Sequence, residues 1–332
     1  MVALFKDRSP ATILWLFLLS VVVHSQFLIV PPKIVGVEED GIISMVLNKY
    51  VSLLNPLIIT ILYHAIVLLQ ALRLNYLFTD NRMFSKVNYL TAMVYILLTG
   101  IFQEWSYLTP ALIANAMIIW LFAKIVRLYN TQKPLTLIFN IGLIIGATIL
   151  SYHPTALLIL VAFFALLIVR PLLVNEWLVL LMGVATPFYF LISYLYLTDQ
   201  LFRTIGFIPR WELNLPDLNP TILFFVTVGI VVLILFIGIF YFQSENRRLL
   251  IQVRKNWIVL QLMVFVMLFI PFINKNAGMD TFLLLLVPLS PFMAKGFFAP
   301  KRDTLPNIMF WCLLALVLIN NWGGVIRSFV KY

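Results

Sequence analysis

Apolar runs of roughly 16–24 residues recur along this chain, separated by short polar stretches, and each is long enough to cross a bilayer core as a helix. They fall at about 12–30, 56–73, 87–102, 109–127, 135–151, 154–170, 176–197, 220–243, 257–274, 281–298 and 306–322. The pattern therefore predicts about eleven transmembrane helices. No stretch shows the sustained period-two alternation of an outer-membrane barrel strand. The expected fold class is all-α, a single polytopic helical domain over residues 1–332. The longest loops hold only about two dozen residues, too few for a separate core.

The first run follows Lys6 and Arg8 and superficially resembles a signal peptide. It is long enough to span, however, and no small-x-small cleavage site ends it, so it is read as the first span. Pro110, Pro134, Pro154, Pro171, Pro220 and Pro306 stand at or near predicted helix starts, where a missing N–H costs nothing. Pro187, Pro271, Pro288 and Pro291 lie inside spans or near their ends, where kinks or interruptions are expected. Tight hairpins are predicted at Gln103-Glu104-Trp105 and at Tyr152-His153-Pro154.

Composition agrees with this pattern. The 332 residues are 63% hydrophobic and 11% charged, with a mean hydropathy of +1.03. A net charge of +10 would suit nucleic-acid binding, but the basic residues sit at span ends and read as topology signals. More than two thirds of the 23 lysines and arginines fall in the loops on the N-terminal side. This asymmetry places the N-terminus in the cytoplasm and the C-terminus outside. Most of the 13 acids fall in the opposite loops: Glu38, Glu39, Asp40, Glu104, Asp199, Glu212, Asp217 and Asp280. Acid–base chemistry is therefore expected on the outer face.

The single cysteine, Cys312, excludes a disulfide framework or a cysteine metal site, and three histidines are too few for an all-histidine cage. No Walker motif, Rossmann fingerprint, CxxC pair or HExxH is present, which removes the ATP, NAD and zinc-protease readings.

The first outer loop, 31–55, carries the acids Glu38-Glu39-Asp40 ahead of Gly41. Beyond it Ile43, Val46, Leu47, Tyr50 and Leu54 fall on one side of a helix, and Ser44, Asn48, Ser52 and Asn55 on another. An interfacial helix along the outer surface is expected. The acids suit capping of that helix, general-base activation of an acceptor hydroxyl, or ligation of a divalent cation. In the outer loop 198–219, Arg203 and Arg210 suit a lipid phosphate or pyrophosphate, or pairing with neighbouring acids. Glu104, alone among aromatics in its turn, is a candidate to face an inner cavity. His153 suits proton transfer, phosphate binding or a structural hydrogen bond. His24 and His64 lie within spans and are expected to join helices by hydrogen bonds.

This arrangement resembles the GT-C superfamily of integral-membrane glycosyltransferases. Those enzymes have a cytoplasmic N-terminus, an acidic first external loop followed by an interfacial helix, and a later external loop that helps bind a polyprenyl-phosphate sugar donor. Glu38, Glu39 and Asp40 match the acidic motif by location, with Glu-Glu-Asp in place of Asp-x-Asp or Asp-Glu. Arg203 and Arg210 match the later loop by location. The resemblance implies Asp40 or Glu39 as the proton acceptor, Glu104 and His153 lining the cavity, and Arg203 and Arg210 on the donor phosphate. The residues around Phe102-Gln-Glu-Trp and Asn175-Glu-Trp also look like an uncharacterised family of bacterial multispanning inner-membrane proteins. The expected location is the bacterial inner membrane, and the expected partners are membrane lipid and a polyprenyl-phosphate-linked substrate. Two other readings stay open: a non-catalytic scaffold or subunit of an envelope, secretion or motility complex, and a transporter.

Overall fold

A computed structural model describes residues 1–7, 9, 11–129, 131–171, 173–207, 209, 212, 213, 215, 216, 221–246, 249–274, 278–300 and 302–330. Among them no strand forms, and the β-type pairing is an isolated parallel bridge between Ile34 and Leu108. The chain begins with the short α1 (Ala3–Lys6), then α2 (Ala11–Val23), α3 (Ile42–Lys49), α4 (Pro56–Asp80) and α5 (Leu90–Thr99). The middle of the chain folds as α6 (Pro110–Ile125), α7 (Pro134–Ser151), α8 (Leu158–Val169) and α9 (Val174–Leu197). The last helices are α10 (Ile222–Asn246), α11 (Ile251–Ile273), α12 (Leu286–Phe298) and α13 (Thr304–Val330).

Eight helical stretches among the described residues are long and apolar enough to cross a membrane. By length and composition, this is a multi-pass helical membrane protein. The other three predicted spans correspond to the shorter apolar α2, α5 and α8. Pro110 and Pro134 open helices and Pro187, Pro271 and Pro291 sit inside α9, α11 and α12, as expected, and Pro56 opens α4 in the same way.

Every residue of α5 is buried, and so are most residues of the stretch Met279–Phe298 that ends in α12. These two form the centre of the bundle, with α6 packed beside them. Few residues of Ile222–Glu245 and of Val174–Leu197 are buried, so α9 and α10 present most of their surface outward, the surface a bilayer would cover. Helices in lipid gain nothing from hydrophobic exclusion against one another, so close packing depends on small residues. Two glycine seams meet that need. Gly142 and Gly146, four residues apart on α7, lie against Gly183, Val184 and Pro187 of α9, leaving no room for a Cβ. Gly238 of α10 lies in the same way on the backbone of Phe292 in α12.

Contacts sort the loops into two groups at opposite ends of the bundle. At one end, Lys6 pairs with Asp303 at 2.7 Å, and Arg170 pairs with the buried Glu176 at 2.9 Å while reaching the carbonyls of Leu128 and Thr131. Lys295, 1% exposed, meets Glu245 at 2.9 Å, its ammonium 4.9 Å from the ring centre of Phe84 and 5.6 Å from that of Trp257. The other end gathers the first-loop acids and the turns at 103–106, 153–157 and 279–285.

Candidate functional site

The first loop is stapled to the start of α6 before it reaches its acids. The Leu108 N–H donates to the Lys33 carbonyl at 2.8 Å, and the Val35 N–H donates back to Leu108 at 3.3 Å. Asn48 holds the Gly36 carbonyl through its amide at 2.8 Å. Between these anchors Glu38–Asp40 form a single 3-10 turn. Gly41 follows with φ +134°, and a Cβ there would stand 2.8 Å from the Ser151 carbonyl carbon. Only glycine permits this approach, and the approach lays the acidic turn on the C-terminal end of α7.

There the backbone leaves α7 in an extended conformation at Tyr152 and turns at His153–Leu157. Tyr152 is 1% exposed, and its hydroxyl lies 3.4 Å from the Thr281 hydroxyl. The His153 Nδ1–H donates to the Glu39 carbonyl at 3.0 Å. This bond fixes the tautomer and leaves Nε2 as a buried lone pair without a protein partner. Trp105, in the turn before α6, donates its indole N–H to the Met279 carbonyl at 2.8 Å. Four separate segments thus meet at this end of the bundle.

Their charges converge on Tyr152. Burial first, then the nearby carboxylates of Asp280 and Asp40, push its phenol well above the usual tyrosine range, while Thr281 pulls weakly the other way. Tyr152 is therefore a hydrogen-bond donor at any working pH. Glu104 is close enough to Asp280 to repel its carboxylate, and with burial it raises the phenol of Tyr107. The Lys33 ammonium sits 5.9 Å from the Tyr107 ring centre. Burial also lowers the His153 imidazole below its ordinary value, opposed by the Glu39 carbonyl.

The predicted acidic triplet is split by the fold. Asp40 is buried at 8% exposure within the electrostatic cluster, whereas Glu39 is exposed and contributes its backbone carbonyl to His153. Glu104 lies near Asp280 and Tyr107, and His153 holds the Glu39 carbonyl, at the same end of the bundle. The side chains of Glu38 and Arg203, and the whole of Arg210, lie outside the described residues. The backbone at Arg203 belongs to a 3-10 segment, Leu201–Phe207, and the Glu212 N–H of that loop donates to the Ile273 carbonyl at 3.1 Å. Among the described residues, no three His, Cys, Asp or Glu side chains gather closely enough to hold a metal ion.

Tyr152, Thr281 and Asp280 are the members that sequence reading missed. Asp280 registers there only as one of several outward acids, and nothing local distinguishes Tyr152 from an interfacial anchor. Their proximity, across more than a hundred residues, arises because Tyr152, where the chain leaves α7, meets the turn that leads into α12, which itself packs on α6 and α11. Helix α3 also differs from expectation. Its protein-facing side carries Ser44 and Leu47, while Ile42, Met45, Val46 and Tyr50 are exposed. The apolar side is thus free to lie in an interface, and the bundle is met by a mixed one. A separate apolar groove of about 370 Å³ lies along α9, lined by Tyr189, Ile192, Ser193, Tyr196, Leu197 and Leu201, and takes no part in the acid cluster. No protein-family model, curated protein or solved structure matches this chain.

Proposed function

We propose that the chain is a GT-C-like enzyme of a bacterial inner membrane, transferring a sugar or related group from a polyprenyl-phosphate donor at its outer face. The observation that supports this reading most is the seating of Asp40. A loop carboxylate belongs in water unless it has work elsewhere, yet this one is buried at the end of α7, where a staple at Leu108 and a glycine contact on Ser151 hold its turn, near enough to act electrostatically on Tyr152. Such a carboxylate suits general-base catalysis: it takes the proton of the acceptor hydroxyl as that oxygen attacks the anomeric carbon. The anomeric carbon–oxygen bond to phosphate breaks in the same step, and polyprenyl phosphate leaves with the bonding electrons. Tyr152 and Thr281 pair their buried hydroxyls within the same cluster and help to seat that carboxylate. Arg203 and Arg210 are the proposed holders of the donor phosphate.

The deciding test is Asp40→Asn at normal expression, read as the lipid-linked sugar and surface glycan profile of membranes. The expected result is a fall in transfer of about 10²–10⁴-fold, the range of a lost general base. Glu39→Ala, which keeps the carbonyl bound by His153, is expected to cost less. An unchanged profile in Asp40→Asn would end the enzymatic reading and turn attention to a scaffold.

A further inference from the structure

The bundle also contains a histidine whose hydrogen bonds do not balance when it is neutral. His24, 1% exposed, follows the last residue of α2. Its Nδ1 lies 3.0 Å from the Ser20 carbonyl, and its Nε2 lies 3.2 Å from the Tyr63 hydroxyl. That hydroxyl lies in turn 3.0 Å from the Trp105 carbonyl. A further acceptor, the Thr99 carbonyl, also addresses the imidazole.

Counting protons shows the mismatch. Both ends of the chain Ser20–His24–Tyr63–Trp105 are carbonyl oxygens, which only accept. Three contacts need three protons, but a neutral imidazole brings one and the phenol one. With the proton on Nδ1, Tyr63 must choose between Nε2 and Trp105. With the proton on Nε2, the Nδ1 lone pair faces the Ser20 carbonyl. Either tautomer leaves one contact of the three unmade, in a place where water does not make up the loss. Only the imidazolium completes all three.

The titratable groups facing His24 are Tyr63 and His64 of α4, with Tyr95 of α5 beyond Tyr63. The His64 ring centre is 5.7 Å from that of His24, and its Nδ1 is occupied by the Ser20 hydroxyl at 2.9 Å. Among the described residues, α2, α13 and the turn Ser25–Leu28 bring no charged side chain to it; the Trp105 turn carries Glu104, which is exposed. No carboxylate competes for the role of proton acceptor.

We infer that His24 is a proton-binding site built into the bundle, and that one bound proton completes the hydrogen-bond chain from α2 through α4 to the turn carrying Trp105. Because the Trp105 indole is fastened to Met279, that chain ends at the segment bearing Asp280. Proton uptake at His24 therefore tightens the acid-bearing end from within, whether or not glycosyl transfer occurs there.

With only three histidines, ring-¹⁵N-histidine labelling of the whole chain in lipid nanodiscs gives a spectrum that His64→Asn and His153→Asn variants assign. The expected result is a His24 ring that gains a proton on both nitrogens as pH falls within the range where the chain stays folded. Tyr63→Phe, which removes the partner of Nε2–H, is expected to lower that midpoint by about one pH unit. A wild-type His24 that stays a single neutral tautomer throughout that range overturns the inference. A titration that ignores Tyr63→Phe overturns it equally. The wild-type spectrum decides the matter even if the Tyr63 variant fails to fold.

Discussion

Single residues decide whether the acidic turn reaches its site. Gly41 combines a positive φ with backbone contact on Ser151, so both strain and collision oppose a side chain. Gly41→Ala should cost at least about 2 kcal/mol, seen as a lower unfolding midpoint in detergent, and should free the Glu39 carbonyl from His153. His153 supplies a pH signature. Its folded value lies below the ordinary one, so the unfolded chain binds the proton first as pH falls. Its contribution to stability is therefore complete above the ordinary histidine value of about 6.5 and is lost as pH drops below it. Unfolding midpoints measured from neutral to mildly acidic pH should fall less steeply in His153→Gln than in the parent chain. An equal slope would show that His153 binds its proton alike in the folded and unfolded chain.

At the scale of elements, the seam between α7 and α9 carries the sharpest expectation. Gly142 and Gly146 repeat at the helical interval that puts both on one face, and Gly183 meets them from the opposite helix. Gly142→Leu must part the two backbones, at a cost of about 2–4 kcal/mol, read as a lower midpoint with α9 newly open to protease. The same change on an outward face of α10, at Gly229, where a Cβ meets nothing, should be close to neutral. Because α7 leads directly into Tyr152, loosening this seam should also disturb the Asp40 cluster, which couples a packing defect to a functional one.

The whole molecule raises the matter of sidedness. The contacts place Glu39 and Asp303 in the two opposite loop groups. After Cys312→Ser removes the native thiol, which is exposed, single-cysteine variants Glu39→Cys and Asp303→Cys report each end. A membrane-impermeant maleimide is expected to label the first on intact cells and the second only after permeabilisation, as the distribution of basic residues requires. Labelling in the reverse order would place the acid cluster in the cytoplasm and remove the proposed lipid-linked donor from its reach.

The helical segments could be read from the chain directly, because a bilayer imposes one requirement, sustained apolarity over a fixed length, that shows in any window of residues. The starts of α6 and α7 were equally visible, since proline signals them locally. The acidic first loop and the turns at Glu104 and His153 could be named from sequence alone. What could not be read was which acid is buried, that Tyr152, Thr281 and Asp280 belong with Asp40, or that His24 lacks a proton for its contacts. Those facts depend on which helices lie side by side, and an apolar helix carries little record of its neighbours: in lipid, outward and inward faces are both hydrophobic, and only a few glycines and buried polar atoms mark the difference. Partnership among distant residues was therefore settled by three-dimensional packing.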